Sequence, residues 1–207
     1  MLYNNRMTEK QPCGFTLIEL LVVVIIIAIG TSMGLPSLIR SKRQNEVDRY
    51  TQIVESGLFS LRAKLGTTKS SCELFFPSKN TFLPPWESIE FQQPNGSQEY
   101  LDERIQCCNS KEGCVGGPSY RLINREGSPE REFIEVATTE EVFQMSPPGT
   151  SSEARTLRIL IRSKMWEDRN LRTNDGSSKL KTRCIEVSGS GGISRGTWDN
   201  QSQICST

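Results

Sequence analysis

Residues 20–29 carry ten side chains without one polar atom, and the residue just before them is Glu19. The wider apolar stretch opens at Gly14-Phe15-Thr16-Leu17-Ile18-Glu19-Leu20 and reaches Leu35. A run of this kind suits lipid, and a carboxylate does not. On insertion scales an acid costs about 2.5–3.5 kcal/mol near a helix centre, and less near an end. An acid so placed is therefore a functional hypothesis that calls for a partner. The nearest candidate is an amine, created by cutting the chain between Gly14 and Phe15.

The rest of the chain narrows the choices. With the first forty or so of its 207 residues set aside as leader and membrane helix, one ordinary domain remains. A formal net charge of +1 supplies no strong overall field toward nucleic acid or anionic lipid. The mean hydropathy of -0.44 averages a very apolar N-terminal segment with a polar remainder punctuated by Pro and Gly. The absence of histidine excludes His-based triads, His general bases and the commonest zinc ligand. Of seven cysteines, Cys13 precedes the proposed cut. Cys72, Cys107, Cys108, Cys114, Cys184 and Cys205 follow it, an even set that reads as disulfides in an oxidising compartment. The competing reading is reduced core cysteines in a cytosolic protein.

Three accounts of the N-terminus compete. Residues 1–14 are polar and carry Arg6 and Lys10, which hold that end in the cytoplasm. Residues 20–29 have the length of a signal-peptide core, with a cleavage site at Ala28-Ile29-Gly30. Residues 15–39 are long enough, at about 1.5 Å per residue, to cross a hydrocarbon core of about 30 Å as a plain anchor. Neither account explains Glu19. The third is a prepilin leader, cut at Gly14 so that the apolar segment stays on the mature chain.

Gly14-Phe15-Thr16-Leu17-Ile18-Glu19-Leu20-Leu21-Val22-Val23 resembles the start of type IV pilins and pseudopilins. The resemblance implies a prepilin peptidase that cuts between Gly14 and Phe15 and N-methylates Phe15. Glu19 then stands fifth in the mature chain, and Pro36 sits where many family members have a helix-kinking proline. Cys13 departs from the basic or small polar residue usual before the cut. The resemblance also implies that Glu19 pairs with the N-terminal amine of a neighbouring subunit and fixes axial register, a better role for a buried ion pair than net stabilisation.

Beyond Pro36 the sequence turns polar, and Val47, Tyr50, Val54, Leu58, Leu61 and Leu65 recur at spacings of three and four. That is one stripe of an amphipathic helix, with Gly66 as its expected C-cap. The simplest structure is one long helix over about residues 15–65, bent at Pro36 with Gly30 and Gly34 close before it. Strands are expected over 133–139, 157–162, 181–187 and 193–195, with 120–123 as a further one. A glycine-rich turn over 188–192 joins the last two of the first four. Pro84-Pro85, residues 94–96, residues 146–149 and residues 174–176 read as loops.

The expected fold is thus α+β, a long N-terminal helix packed on an antiparallel β-sheet head, type IV pilin-like. Its parts are a leader over 1–14, a transmembrane and assembly helix over 15–39, an amphipathic continuation over 40–66 and a disulfide-bonded head over 67–207. Six cysteines allow 15 pairings. Cys184 with Cys205 is favoured because it ties the chain end to the last hairpin, while Cys107 and Cys108 reach toward Cys72 and Cys114. A zinc site fits poorly, for want of Cys-x-x-Cys pairs.

No residues form a catalytic set, and no cofactor or metal is expected. Gly189-Ser190-Gly191-Gly192 lacks the lysine and following helix of a phosphate-binding loop. The C-terminal stretch 184–191 also resembles H-type pseudopilins and T-type fimbrial minor pilins. In some of the latter a basic motif with two arginines supports DNA binding; here only Arg195 is present, which argues against DNA. Two function classes follow. One is a structural subunit, a minor pilin of a type IV pilus or else a type II secretion pseudopilin. The other is an anchored or secreted disulfide-bonded binding domain. For the first, the implied partners are the prepilin peptidase, other pilin or pseudopilin subunits, the inner-membrane assembly platform and membrane lipid. The implied location is the bacterial inner membrane, single-pass with the head outside the cytoplasm, and then the pilus or pseudopilus.

Overall fold

The structure, a computed structural model, describes residues 14–69, 71–90, 105–108, 122–123, 129–147, 149–151, 155–167 and 178–206; the side chains of 32–36, 68, 105–108, 129–130 and 167 stand outside that description. The chain divides into two compact units, one ending at Leu38 and the other beginning at Ile39.

Helix α1 spans Leu17–Thr68. It starts two residues later than expected because Thr16 is its cap, accepting the first helical bond from Leu20 N at 3.2 Å. It also runs past Gly66. The residue that leaves helical space is Lys69, at φ 50°, and the Thr67 hydroxyl donates to the Lys64 carbonyl in the last turn. Gly66 therefore has no capping role.

Within the second unit, all six stripe residues of α1 are buried. They meet two antiparallel sheets. The first has the order β2-β1-β4, from β1 (Ser71–Phe75), β2 (Ile105–Cys108) and β4 (Val142–Met145). The second has the order β3-β5-β6-β7-β8, from β3 (Ile134–Thr138), β5 (Leu157–Ser163), β6 (Arg183–Val187), β7 (Ile193–Asp199) and β8 (Ile204–Ser206). The α+β class holds, with two sheets where one was expected. In β5, alternation sends Leu157, Ile159 and Ile161 to the α1 side, joined by Ile134, Val136, Ile185 and Val187. On the opposite face Leu160, Ala137 and Cys184 form a smaller cluster with Phe82, Trp198 and Cys205.

The register locks this arrangement. Ile159 lies opposite Ile185, and Ile161 opposite Arg183. The 188–192 turn closes the β6–β7 hairpin, with Ser188 N on the Gly192 carbonyl at 2.9 Å. Other expectations shift. Pro84-Pro85 does not simply loop: Pro85 opens a short helix α2 (Pro85–Ser88), a position where its missing N–H costs nothing. Leu122 and Ile123 are buried but lie in no strand. They pack where α1 presents Gly57, at which a Cβ would collide with the Leu122 carbonyl. The 94–96 and 174–176 loops lie outside the described residues.

Glu90 is 3% exposed, the one buried charged residue among those described. Its Oε1 accepts from the Tyr50 hydroxyl at 2.7 Å, and its Oε2 faces Arg131 Nη1 at 3.3 Å. Burial pushes the Tyr50 hydroxyl far above its ordinary pKa, with the Glu90 charge adding to the effect, so Tyr50 stays a donor. This network ties the α1 stripe to the chain that follows α2.

Candidate functional site

The candidate functional segment is the start of α1, where the structure brings Thr16 and Glu19 together. The spacing Thr-x-x-Glu is that of a capping box, and the geometry completes it. Thr16 N and Thr16 Oγ1 each donate to Glu19 Oε2 at 2.8 Å, and Glu19 N donates back to Thr16 Oγ1 at 3.3 Å. One oxygen of the carboxylate thus satisfies groups that the helix start would otherwise orphan. The other, Oε1, accepts no bond among the described residues. The negative charge also sits in the first turn, where the helix dipole favours it. Sequence reasoning singled out Glu19 and missed Thr16, although the four-residue spacing was there to read.

Around this box every apolar side chain lies open. Phe15 is 86% exposed and Ile25 48%, and no residue from 14 to 31 is buried. Further along the segment the Thr31 hydroxyl donates to the Ile27 and Ala28 carbonyls at 2.9 and 3.1 Å. Among the described residues no helix is long and apolar enough to cross a membrane. The expected span over 15–39 includes residues 32–36, whose side chains are not described. The kink expected at Pro36 falls there too. Among the described residues nothing requires glycine at position 14: a Cβ would meet no atom within 4 Å.

The cysteines divide. Cys184 and Cys205 form a disulfide with Cα atoms 5.9 Å apart, as the sequence favoured. It joins β6 to β8 across β7. Gly196 of β7 lies opposite Cys184, and a Cβ there would meet the Ser206 carbonyl and stand 3.0 Å from Cys205 Sγ. Cys72 is disulfide-bonded and lies opposite Cys107 in the β1–β2 register. Cys108 follows in the same strand. Cys114 lies outside the described residues, as do the side chains of Cys107 and Cys108.

A second place invites inspection. A polar cavity of about 300 Å³ is lined by Asp48, Thr51, Gln52, Arg183, Arg195 and Thr197, among others. Its charges are already committed. Arg183 Nε and Nη2 hold Asp48 at 2.6 and 3.2 Å, its Nη1 donates to Thr197 Oγ1, and Arg195 pairs with Glu55 at 3.3 Å. The cavity contains no nucleophile–base pair. Among the described residues no group of three or more His, Cys, Asp or Glu could hold a metal ion.

Comparison with known proteins bears on the same segment. Residues 10–35 match the family model described as the prokaryotic N-terminal methylation motif. No curated protein matches the chain. Among solved structures, the type IV minor pilin FimU of Pseudomonas aeruginosa (strain PAO1) is similar over 72% of this chain and 87% of that one. The identity is 11% and the TM-score 0.40, a likeness too remote to carry weight.

Proposed function

We propose that the chain, whose residues 10–35 match the prokaryotic N-terminal methylation motif, is a minor pilin of the type IV pilin family. It is made as a prepilin, cut by the prepilin peptidase between Gly14 and Phe15, methylated on Phe15 and built into a type IV pilus through its N-terminal helix. Its role is structural. The observation that carries this reading is Glu19: one oxygen is held by Thr16, and the other accepts no bond among the described residues, at the start of a stretch, 14–31, with no buried side chain.

Cleavage between Gly14 and Phe15 places a new amine one residue before Thr16, beside the Glu19 carboxylate of the same or a neighbouring subunit. Pairing with Oε1 neutralises two charges in an apolar bundle and fixes the axial offset between subunits. The absence of any structural need for glycine at 14 supports its use as a peptidase recognition residue. Before assembly the segment rests in the inner membrane, with the head outside the cytoplasm, where Cys184–Cys205 can form and persist. The cysteine-rich head and the length of 207 residues support a minor rather than a major subunit.

Mass spectrometry of the chain co-expressed with a prepilin peptidase tests this reading. The expected N-terminus is N-methylated Phe15. A start near Thr31, or an intact Met1, would instead indicate a secreted or plainly anchored binding domain.

A further inference from the structure

The sequence places its cations awkwardly. Only Arg6 and Lys10 precede the apolar run, while Arg40, Lys42 and Arg43 follow it directly. Cations after the run oppose the orientation that keeps the N-terminus in the cytoplasm. They therefore call for a use on the far side, and the second unit shows how they are arranged.

Arg43 is committed to the head: its guanidinium lies 3.7 Å over the Phe133 ring, and its Nη1 pairs with Glu46 at 2.9 Å. One residue on, Gln44 accepts from the backbone N of Lys181 at 2.8 Å, fixing the 178–182 loop beside the first turn of this unit. Arg40, Lys42 and Lys181 are exposed there and form no ion pair among the described residues. Arg40 lies three and four residues before Arg43 and Gln44, on the same side of α1 one turn lower. Lys179 lies in the same loop, half-buried. Among the described residues the exposed acid nearest in sequence to Phe133 is Glu132. Glu46 and Asp48 are spent on Arg43 and Arg183. The chain is nearly neutral as a whole, but among the described residues the exposed side chains beside Gln44 are mostly cationic.

We propose that Arg40, Lys42 and Lys181 form a docking collar for anionic phospholipid headgroups, which seats the head on the outer face of the membrane before the subunit is extracted into the filament. This rests on the reading that residues 15–39 lie in the bilayer. The occupant follows from chemistry and continuity. Arg40 and Lys42 follow the apolar run directly in sequence and Lys181 is held beside Gln44; among the described residues none forms an ion pair, and their flexible stems can spread charge along phosphates. The overall charge of +1 supplies no strong general field, so any pull on anionic lipid has to be local.

The test uses the full chain in nanodiscs of phosphatidylcholine alone or with phosphatidylglycerol, read by hydrogen–deuterium exchange over residues 178–182. With phosphatidylglycerol, exchange there should slow about threefold or more, and the difference should vanish in about 0.5 M NaCl. The triple variant Arg40→Gln, Lys42→Gln, Lys181→Gln should exchange alike in both discs, with unchanged protection in β5 and β6. Entry into both discs with equal exchange in the wild-type chain overturns the collar and leaves the pilin reading standing. Failure to enter either disc overturns both.

Discussion

Helix α1 has two halves with opposite fates. Over residues 47–65 its apolar side chains recur at helical spacing and are buried, with Val54, Leu58 and Leu65 at 0% exposure. Over residues 17–29 apolar side chains cover every face, and none is buried. The contrast teaches what each half is for. A stripe specifies one partner, the head of its own chain. A segment apolar all round singles out no one face, and on the proposed reading it meets lipid or a bundle of like helices and leaves register to Glu19.

The sharpest way to break this comparison is to shorten one side chain in each half. Leu58→Ala should lower head stability by about 2–5 kcal/mol, the cost of a cavity among fully buried neighbours. Ile25→Ala should leave head stability within about 0.5 kcal/mol. Denaturant unfolding of the full chain in detergent, followed by head signals, reads both. An equal loss in the two variants would erase the distinction between the halves.

The head has staples of its own. Removing the Cys184–Cys205 bridge with Cys205→Ser should cost about 3 kcal/mol, on the chain-entropy estimate for a loop closed over 21 residues. Gly196→Ala should raise the fraction of free thiol at Cys184 and Cys205, measured by alkylation mass shift, because a Cβ there meets Cys205 Sγ and the Ser206 carbonyl. A fully oxidised Gly196→Ala protein would show that β7 can shift to make room.

At the helix start the effect is smaller and local. Thr16→Ala removes the cap, at about 1 kcal/mol of helix stability. It should fray the first turn by NMR in micelles while head unfolding stays at the wild-type midpoint. Loss of head stability in that variant would contradict the independence of the two halves.

The smallest effect is set by pH. Burial pushes the Asp48 carboxyl up, but its bonds to Arg183 and Gln44 win and hold it below the ordinary range. The stability from this lowered pKa is present above the unfolded value, about 3.9, and fades as pH falls through the folded one. Asp48→Asn should therefore shrink the drop in urea midpoint between about pH 6 and about pH 3. An unchanged drop would assign acid sensitivity to other carboxylates.

Legibility in the sequence followed periodicity. The stripe was readable because each member sits three or four residues from the next, and β5 because Leu157, Ile159 and Ile161 alternate with Arg158 and Arg162. The edges were harder. β8 is three residues long and exists through pairing of Thr197 with Ser206 and Trp198 with Cys205, contacts that no local pattern announces. Gly66 looked like a stop, yet the helix runs on to Thr68 and leaves helical space only at Lys69. β1 and β4 join residues some seventy positions apart, with Cys72 opposite Met145. In the functional segment, Glu19 declared itself by being out of place. Thr16 did not, because a threonine near a helix start is ordinary until its distance to a glutamate is counted.

The central claim is that Glu19 serves assembly and not the head. Incorporation of Glu19→Ala into filaments, measured by immunoblot of sheared pili beside head unfolding of the same variant, tests it most directly. The expected result is a head with wild-type stability and a subunit largely missing from the filament fraction. Normal incorporation of Glu19→Ala would contradict the account.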